Sequence, residues 1–304
     1  MKKLDSKVAG TRASYFSLTF SALVLLIVSM PSKAQTEIDD NFTSIDFPAA
    51  IETTAHGINP AGEIVGFYAN ADQPERHISF LLSEGTFTSF EFPGAVFTRA
   101  FDINARGEIV GRYMDAHGQT HGFLLSRGEF TSIDFPGSNF TVANNINARG
   151  QIVGAYALPG SSNRGYLLSN GEFTSIEVPE ATFNNAHGIN PQGTIVGQYT
   201  IAGRMHGYIL CGNEFTPFDF PGAIETELVG INARGDIVGN YRVDNSPFPF
   251  HGFLLRRDGE LITFDFPDAI NTVAAGGLNP RGDIVGLYHD ADVITHGFLL
   301  SKRR

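Results

Sequence analysis

From residue 42 onward the apolar residues fall into short runs, each the length of a β-strand and each cut off by a turn signal. In 121–125, Phe123 and Leu125 face one way and Leu124 the other, so both faces of that strand are apolar. Sheets covered on both sides need this pattern, whereas a two-layer sandwich shows a cleaner polar and apolar alternation. The runs belong to a unit of 42–47 residues marked by Ile-Val-Gly at 64–66, 109–111, 152–154, 195–197, 237–239 and 284–286. A unit of that size holds about four short strands and cannot bury its own apolar side chains, so units must stack or close into a ring.

Residues 98–136 show how one unit reads. Thr98 to Asn104 predicts a first strand, and Glu108 to Tyr113 a second. Between them, Asn104-Ala105-Arg106-Gly107 has Asn at the first and Gly at the fourth position of a type I turn. The same frame recurs at 59–62, 147–150, 190–193, 232–235 and 279–282, with Pro60, Pro191 and Pro280 at the second position, where a fixed φ suits the turn.

The third and fourth strands form a hairpin whose register follows from its turn. Folding about Asn170-Gly171 sets Arg164 opposite Glu177. The equivalent turns set His121 against Asp134 and His206 against Asp219 and, with one more turn residue, His77 against Glu91 and His251 against Asp265. Each such cross-strand pair contributes about 0.2–1 kcal/mol. The sixth unit ends after His296-Gly-Phe-Leu-Leu-Ser301 without a fourth strand, and the missing piece stands at the other end as Phe42 to Pro48. If that segment completes the last sheet, His296 meets Asp46 and both exposed edges disappear. The expected fold is all-β: a six-bladed β-propeller of four-stranded blades, its N-terminal strand closing the last blade, with an open β-solenoid as the alternative.

Residues 1–34 read as a signal peptide. Lys2, Lys3, Lys7 and Arg12 precede an apolar stretch from Tyr15 to Met30, and Ser32-Lys33-Ala34 fits a cleavage site. Residues 35–41 are then a short linker and 42–304 the repeat domain. The leader carries Lys33 as a fifth base against Asp5, so removing it takes the net charge from −11 to about −15. That acidity argues against nucleic acid as a partner, and with no second long apolar run, no membrane insertion is expected after cleavage. A secreted or periplasmic monomer is the expectation. Cys211, the one cysteine, sits where Ser126 and Ser169 stand in neighbouring units and reads as a strand-end residue.

The triplets His121-Gly-Phe123, His251-Gly-Phe253 and His296-Gly-Phe298, alternating with Ile-Asn-x-x-Gly-x-Ile-Val-Gly, resemble the bacterial extracellular HAF repeat family, named after a His-Ala-Phe triplet. The resemblance covers roughly 42–304, with Gly in place of Ala and with degenerate copies at His77-Ile-Ser-Phe80 and Arg164-Gly-Tyr166. It implies an exported repeat protein and carries over no residues of a reaction.

Positions shared by all units serve the scaffold, so ligand contacts belong among those that differ. One column reads His56, Phe101, Asn144, His187, Val229, Gly276, and the adjacent one contains Arg99, Asn185 and Glu227. His56, Arg99, Asn144, His187 and Glu227 are the candidate ligand-binding residues. A metal held between His56 and His187 would need further donors, and the column adds only Asn144, so both rings are expected to bond to neighbouring backbone. The loops add His117 with Asp115, and His289 with Asp290 and Asp292, without the spacing of a calcium loop. Gly-x-Ser-x-Gly, His-Glu-x-x-His and a phosphate loop are all absent. The expected function is a non-catalytic binding or interaction module for a glycan, a peptide or an envelope surface protein, with no cofactor. The alternative is an extracellular hydrolase or lyase with its site at the channel mouth.

Overall fold

The computed structural model describes residues 41–246 and 250–301, together with the backbone of 14–15 and 36–37. Ser14–Tyr15 and Thr36–Glu37 add as short parallel strands to the edges of the third and fifth sheets. The leader expected over 1–34 and the linker over 35–41 otherwise lie outside the described residues, apart from Asn41. Among the described residues every regular element is a strand.

In the second unit Phe97–Ile103, Ile109–Met114, Thr120–Ser126 and Glu129–Ile133 pair antiparallel in chain order. The first unit repeats this with Glu52–Ile58, Ile64–Asn70, Gln73–Ser83 and Thr86–Phe90. Units starting at Phe140, Phe183 and Glu225 do the same. The sixth has Asn271–Leu278, Ile284–His289 and Thr295–Ser301, and its outer strand is Asn41–Ile45, paired from Ser301↔Asn41 to Gly297↔Ile45.

The Ile-Val-Gly motif has a steric cause. A Cβ on Gly154 would run into the Val142 carbonyl across the ladder and come within 3.0 Å of Tyr166 Cε1. At Gly66, Gly111, Gly197, Gly239 and Gly286 the same two obstacles recur: a first-strand carbonyl and the ring of Phe80, Phe123, Tyr208, Phe253 or Phe298. These rings are fully buried and centre each sheet's core. The motif therefore marks where a third-strand aromatic lies over bare backbone.

The Asn-x-x-Gly turn also does more than reverse the chain. Asn59 Oδ1 accepts from Ala61 N and Glu63 N, each at 3.0 Å, while Gly62 takes the positive φ, +94°, that the fourth turn position demands. Its Nδ2 reaches the Asn104 carbonyl of the next unit at 3.5 Å. Asn104 reaches Asn147 at 3.3 Å, Asn147 reaches Asn190 at 3.0 Å, Asn232 reaches Asn279 at 3.3 Å, and Asn279 reaches Asn59 at 3.5 Å. Buried amides thus pass from unit to unit. A second coupling is the stacking of Phe92 on Tyr113 at 3.6 Å, matched by Phe47–Tyr68, Phe135–Tyr156, Phe220–Tyr241 and Phe266–Tyr288.

The hairpin registers agree with expectation in four units and with the pairing of His296 and Asp46. His121, His206 and His251 meet Asp134, Asp219 and Asp265 at 2.5, 2.9 and 2.9 Å, and Arg164 meets Glu177 at 3.7 Å. His296 Nδ1 lies 2.7 Å from Asp46 Oδ1. The pairing of His77 with Glu91 is overturned. Ser79↔Phe90 puts Ile78, not His77, opposite Glu91, and a one-residue slip turns a strand side chain to the other face. His77 is buried, and Glu91 instead takes Arg76 at 2.9 Å.

Candidate functional site

His56, Phe101, Asn144, His187 and Val229 are each the extra residue of a β-bulge on a first strand, between Ala55/Gly57 and its four counterparts. A bulge leaves the residue without a cross-strand partner and turns its side chain out of the ladder. This explains why the variable column can vary.

The structure sets His56 and Arg99 against the same ring, that of Phe67. The His56 ring lies 5.3 Å from Phe67 and 4.9 Å from Phe101. Burial pushes its pKa down to about 3 against the backbone bond to Ala275, and the charges of Arg99, Arg112 and His187 act in the same direction. The Arg99 guanidinium packs over Phe67 at 4.9 Å and Phe97 at 5.1 Å, and its Nη2 donates to His77 Nδ1 at 3.0 Å. With Nδ1 accepting, the His77 proton sits on Nε2, 3.5 Å from Glu52 Oε2.

Among the described residues Asn144 and Glu227 serve contacts between or within sheets, and His187 Nε2 does not. Asn144 Nδ2 donates to Asn185 Oδ1 and to the Ala186 carbonyl, both at 2.8 Å, tying the third unit to the fourth. Glu227 accepts from Asn240 Nδ2 at 2.7 Å, and Asn240 in turn exchanges bonds of 2.8 and 3.0 Å with the Ala274 backbone of the sixth unit. Burial raises the Glu227 pKa despite the Asn240 bond. Burial also lowers His187, to about 4, and its Nε2 has no partner among the described residues. In the loops, Asp290 Oδ1 accepts from Asp292 N and Ile294 N at 2.9 Å while its other oxygen faces His296 Nε2 at 3.2 Å. Asp115 repeats this arrangement with His117, Gln119 and His121. These carboxylates close turns. Among the described residues no three His, Cys, Asp or Glu side chains come together as a metal-holding group.

Two residues were not read from the first-strand columns. Arg112 is the cross-strand partner of Arg99, and its guanidinium lies 5.7 Å from Phe97 and 5.8 Å from Phe101. The signal was available one position after each Ile-Val-Gly, where Phe67, Arg112, Ala155, Gln198, Asn240 and Leu287 differ in every unit. Asp102 is the second. Only 8% exposed, it accepts from Ile146 N at 3.0 Å, as Asn145 Oδ1 accepts from Ile189 N at 3.0 Å one unit later.

Burial raises the Asp102 pKa to about 7, against the bonds from Ile146 and Ile103. The fold then favours the protonated acid, so its contribution is complete below the unfolded carboxylate value and is lost as pH rises to about 7. Asp102→Asn keeps the accepting oxygen and adds no charge. Thermal melts should show the variant more stable than the parent at pH 8, with the gain vanishing towards pH 4; an equal effect at both pH values would refute the buried-acid account.

No protein-family model and no curated protein matches the sequence. Solved structures do match in shape. TolB from Acinetobacter baumannii superposes with a TM-score of 0.54 at 15% identity over 80% of this chain, which spans 64% of that protein's length. A TolB-type protein of Agrobacterium tumefaciens gives 0.57 at 13% identity, covering 83% of this chain and 91% of the other. A variant of the Aleuria aurantia lectin in complex with Fucalpha1-6GlcNAc gives 0.52 at 11% identity, covering 84% and 93%. The fold is that of a β-propeller. At these identities the likeness is one of fold alone.

Proposed function

We propose that the protein is an exported, non-catalytic binding module, a six-bladed propeller closed by its N-terminal strand, that engages a glycan, peptide or surface protein. Closure is supported by the pairing of Asn41–Ile45 with Thr295–Ser301 and by the reach of Asn279 Nδ2 to the Asn59 carbonyl, 3.5 Å. A Cβ on Gly277 would also come within 2.7 Å of the His56 carbonyl, so the last and first inner strands touch. Export is supported by the basic-then-apolar leader and by the resemblance to HAF repeats. Among the described residues no helix is long and apolar enough to cross a membrane.

One observation carries the binding reading. Among the described residues no hydrogen bond joins any two of His56, Arg99, His187 and Glu227: Arg99 is engaged by His77, Glu227 by Asn240, and His187 Nε2 has no partner. Hydrolysis or elimination needs a base within reach of a nucleophile or a reacting proton. A half-buried cluster of aromatic and basic groups needs only to be met by a complementary surface. The lectin that shares the fold is seen with a fucosylated sugar, which makes glycans the first class to try. Glycan and peptide arrays probed with the purified protein should return a specific ligand released unchanged. Turnover of an array ligand, or no ligand in either class, would count against the proposal.

A further inference from the structure

Six side chains around the first and second units form a closed circuit in which nitrogen-bearing groups alternate with phenyl rings. Arg99 packs on Phe67, Phe67 on His56, His56 on Phe101, Phe101 on Arg112, Arg112 on Phe97, and Phe97 again on Arg99, at 4.9 to 5.8 Å. Phe67 is buried and the other five are half-buried.

The charge on this circuit is not balanced. Arg99 feels Glu52 and Glu75, but Glu52 is already engaged by His77. Arg112 has no salt bridge among the described residues; burial, then the charge of Arg99, lowers its pKa to about 10. The buried Nε of each arginine also lacks a hydrogen-bond partner among the described residues. Like charges directly across a strand pair are destabilising, and a desolvated charge without a partner costs more. At the same two register positions the other units carry Thr54/Phe67, Val142/Ala155, Asn185/Gln198, Glu227/Asn240 and Val273/Leu287. Only the second unit opposes two cations, in a chain whose net charge is −11. The other five pairs show that the ladder closes at this position without any charge pair of like sign.

We infer that Arg99 and Arg112, with His56 beside them, form a pocket for the carboxylate of an acidic sugar of the uronic-acid class. The inference rests on the binding-module reading and adds the ligand's chemistry. A guanidinium fork matches a planar carboxylate, and stacking on phenyl rings fixes the fork before the ligand arrives. Arg99 is held further by the line from Glu52 through His77. His56, hydrogen-bonded to the backbone of Ala275, is neutral and offers its second ring nitrogen as an acceptor for a sugar hydroxyl. The half-buried edges of Phe97 and Phe101 supply the apolar wall that a pyranose ring needs.

The test is calorimetric titration of the purified protein with trigalacturonate, neutral galactotriose and inorganic phosphate. The parent should bind trigalacturonate and neither of the others. Arg112→Gln should weaken that binding at least about 10-fold, the loss expected for one charge-assisted contact, while leaving the melting temperature unchanged or higher. Arg112→Lys, which keeps the charge and loses the fork, should also weaken it. Arg234→Gln, on an exposed turn beside Asp236, should bind as the parent does. The pocket assignment is overturned if trigalacturonate binds no better than galactotriose, if phosphate alone binds, or if Arg112→Gln binds like the parent. Array ligands that bind equally to parent and Arg112→Gln would remove this pocket and leave the module reading standing; a protein that binds nothing on any array would remove both.

Discussion

Deletion of residues 41–48 should lower the melting temperature by on the order of 10 °C and drive the protein into oligomers. The segment supplies the outer strand of the sixth sheet, and without it the backbone of Gly297 to Ser301 becomes an open edge able to pair with another chain. Phe42 leaves its contacts with Phe266 at 5.2 Å and Phe298 at 5.5 Å, and Phe47 leaves its stack on Tyr68 at 3.6 Å. Ile45, 6% exposed, is taken from a cluster that includes Ala55 and Phe80, so the first sheet is loosened along with the sixth. Each large apolar side chain contributes about 1.5–3 kcal/mol when buried, and about 1 kcal/mol moves the midpoint of a domain this size by 2–4 °C. Calorimetry and size-exclusion chromatography would check this. A deletion mutant that stays monomeric and melts with the parent would mean that the two chain ends do not depend on each other.

Gly154→Ala should be the most damaging single-methyl change, with a cost of about 1–3 kcal/mol or more from overpacking. The added carbon meets the Val142 carbonyl, which is part of the ladder, and the Tyr166 ring, which is fully buried. Neither obstacle is the free end of a flexible side chain, so relief requires the first and second strands to separate. The denaturant midpoint should fall by an amount that accounts for this cost with an unchanged slope. A variant as stable as the parent would show that the repeated motif is not held by this contact.

The strand hairpins are legible in the chain because their turns fix register locally: Asn170-Gly171, both at positive φ, leaves Arg164 only Glu177 opposite it across the hairpin. The failure at His77 has the same origin. The extra turn residue expected there is absent: Glu84-Gly85 is a two-residue turn with Ser83 opposite Thr86, so the longer His77-Ile-Ser-Phe80 puts Ile78 where other units have His or Arg. Comparison of the units singles out the bulge column, with His56, and the column beside it, with Arg99. Arg112 was not reached, because its place on the second strand matters only once register sets it beside Arg99. Asn144 and Glu227 looked available because sequence gives variability but not whether a neighbouring unit already uses the group. The repeated Asn read as a turn former, and nothing in a single unit reveals that its amide reaches the next one.

That reach has a consequence for how such a chain can change length. Five of these amide bonds occur among the described residues, and each runs in the same sense, from one unit's side chain to its successor's carbonyl. A tandem copy inserted at any of these five junctions would find a donor behind it and an acceptor ahead, both already in place. Growth or loss of a whole module therefore requires no new recognition chemistry, only a change in the angle at which neighbours meet.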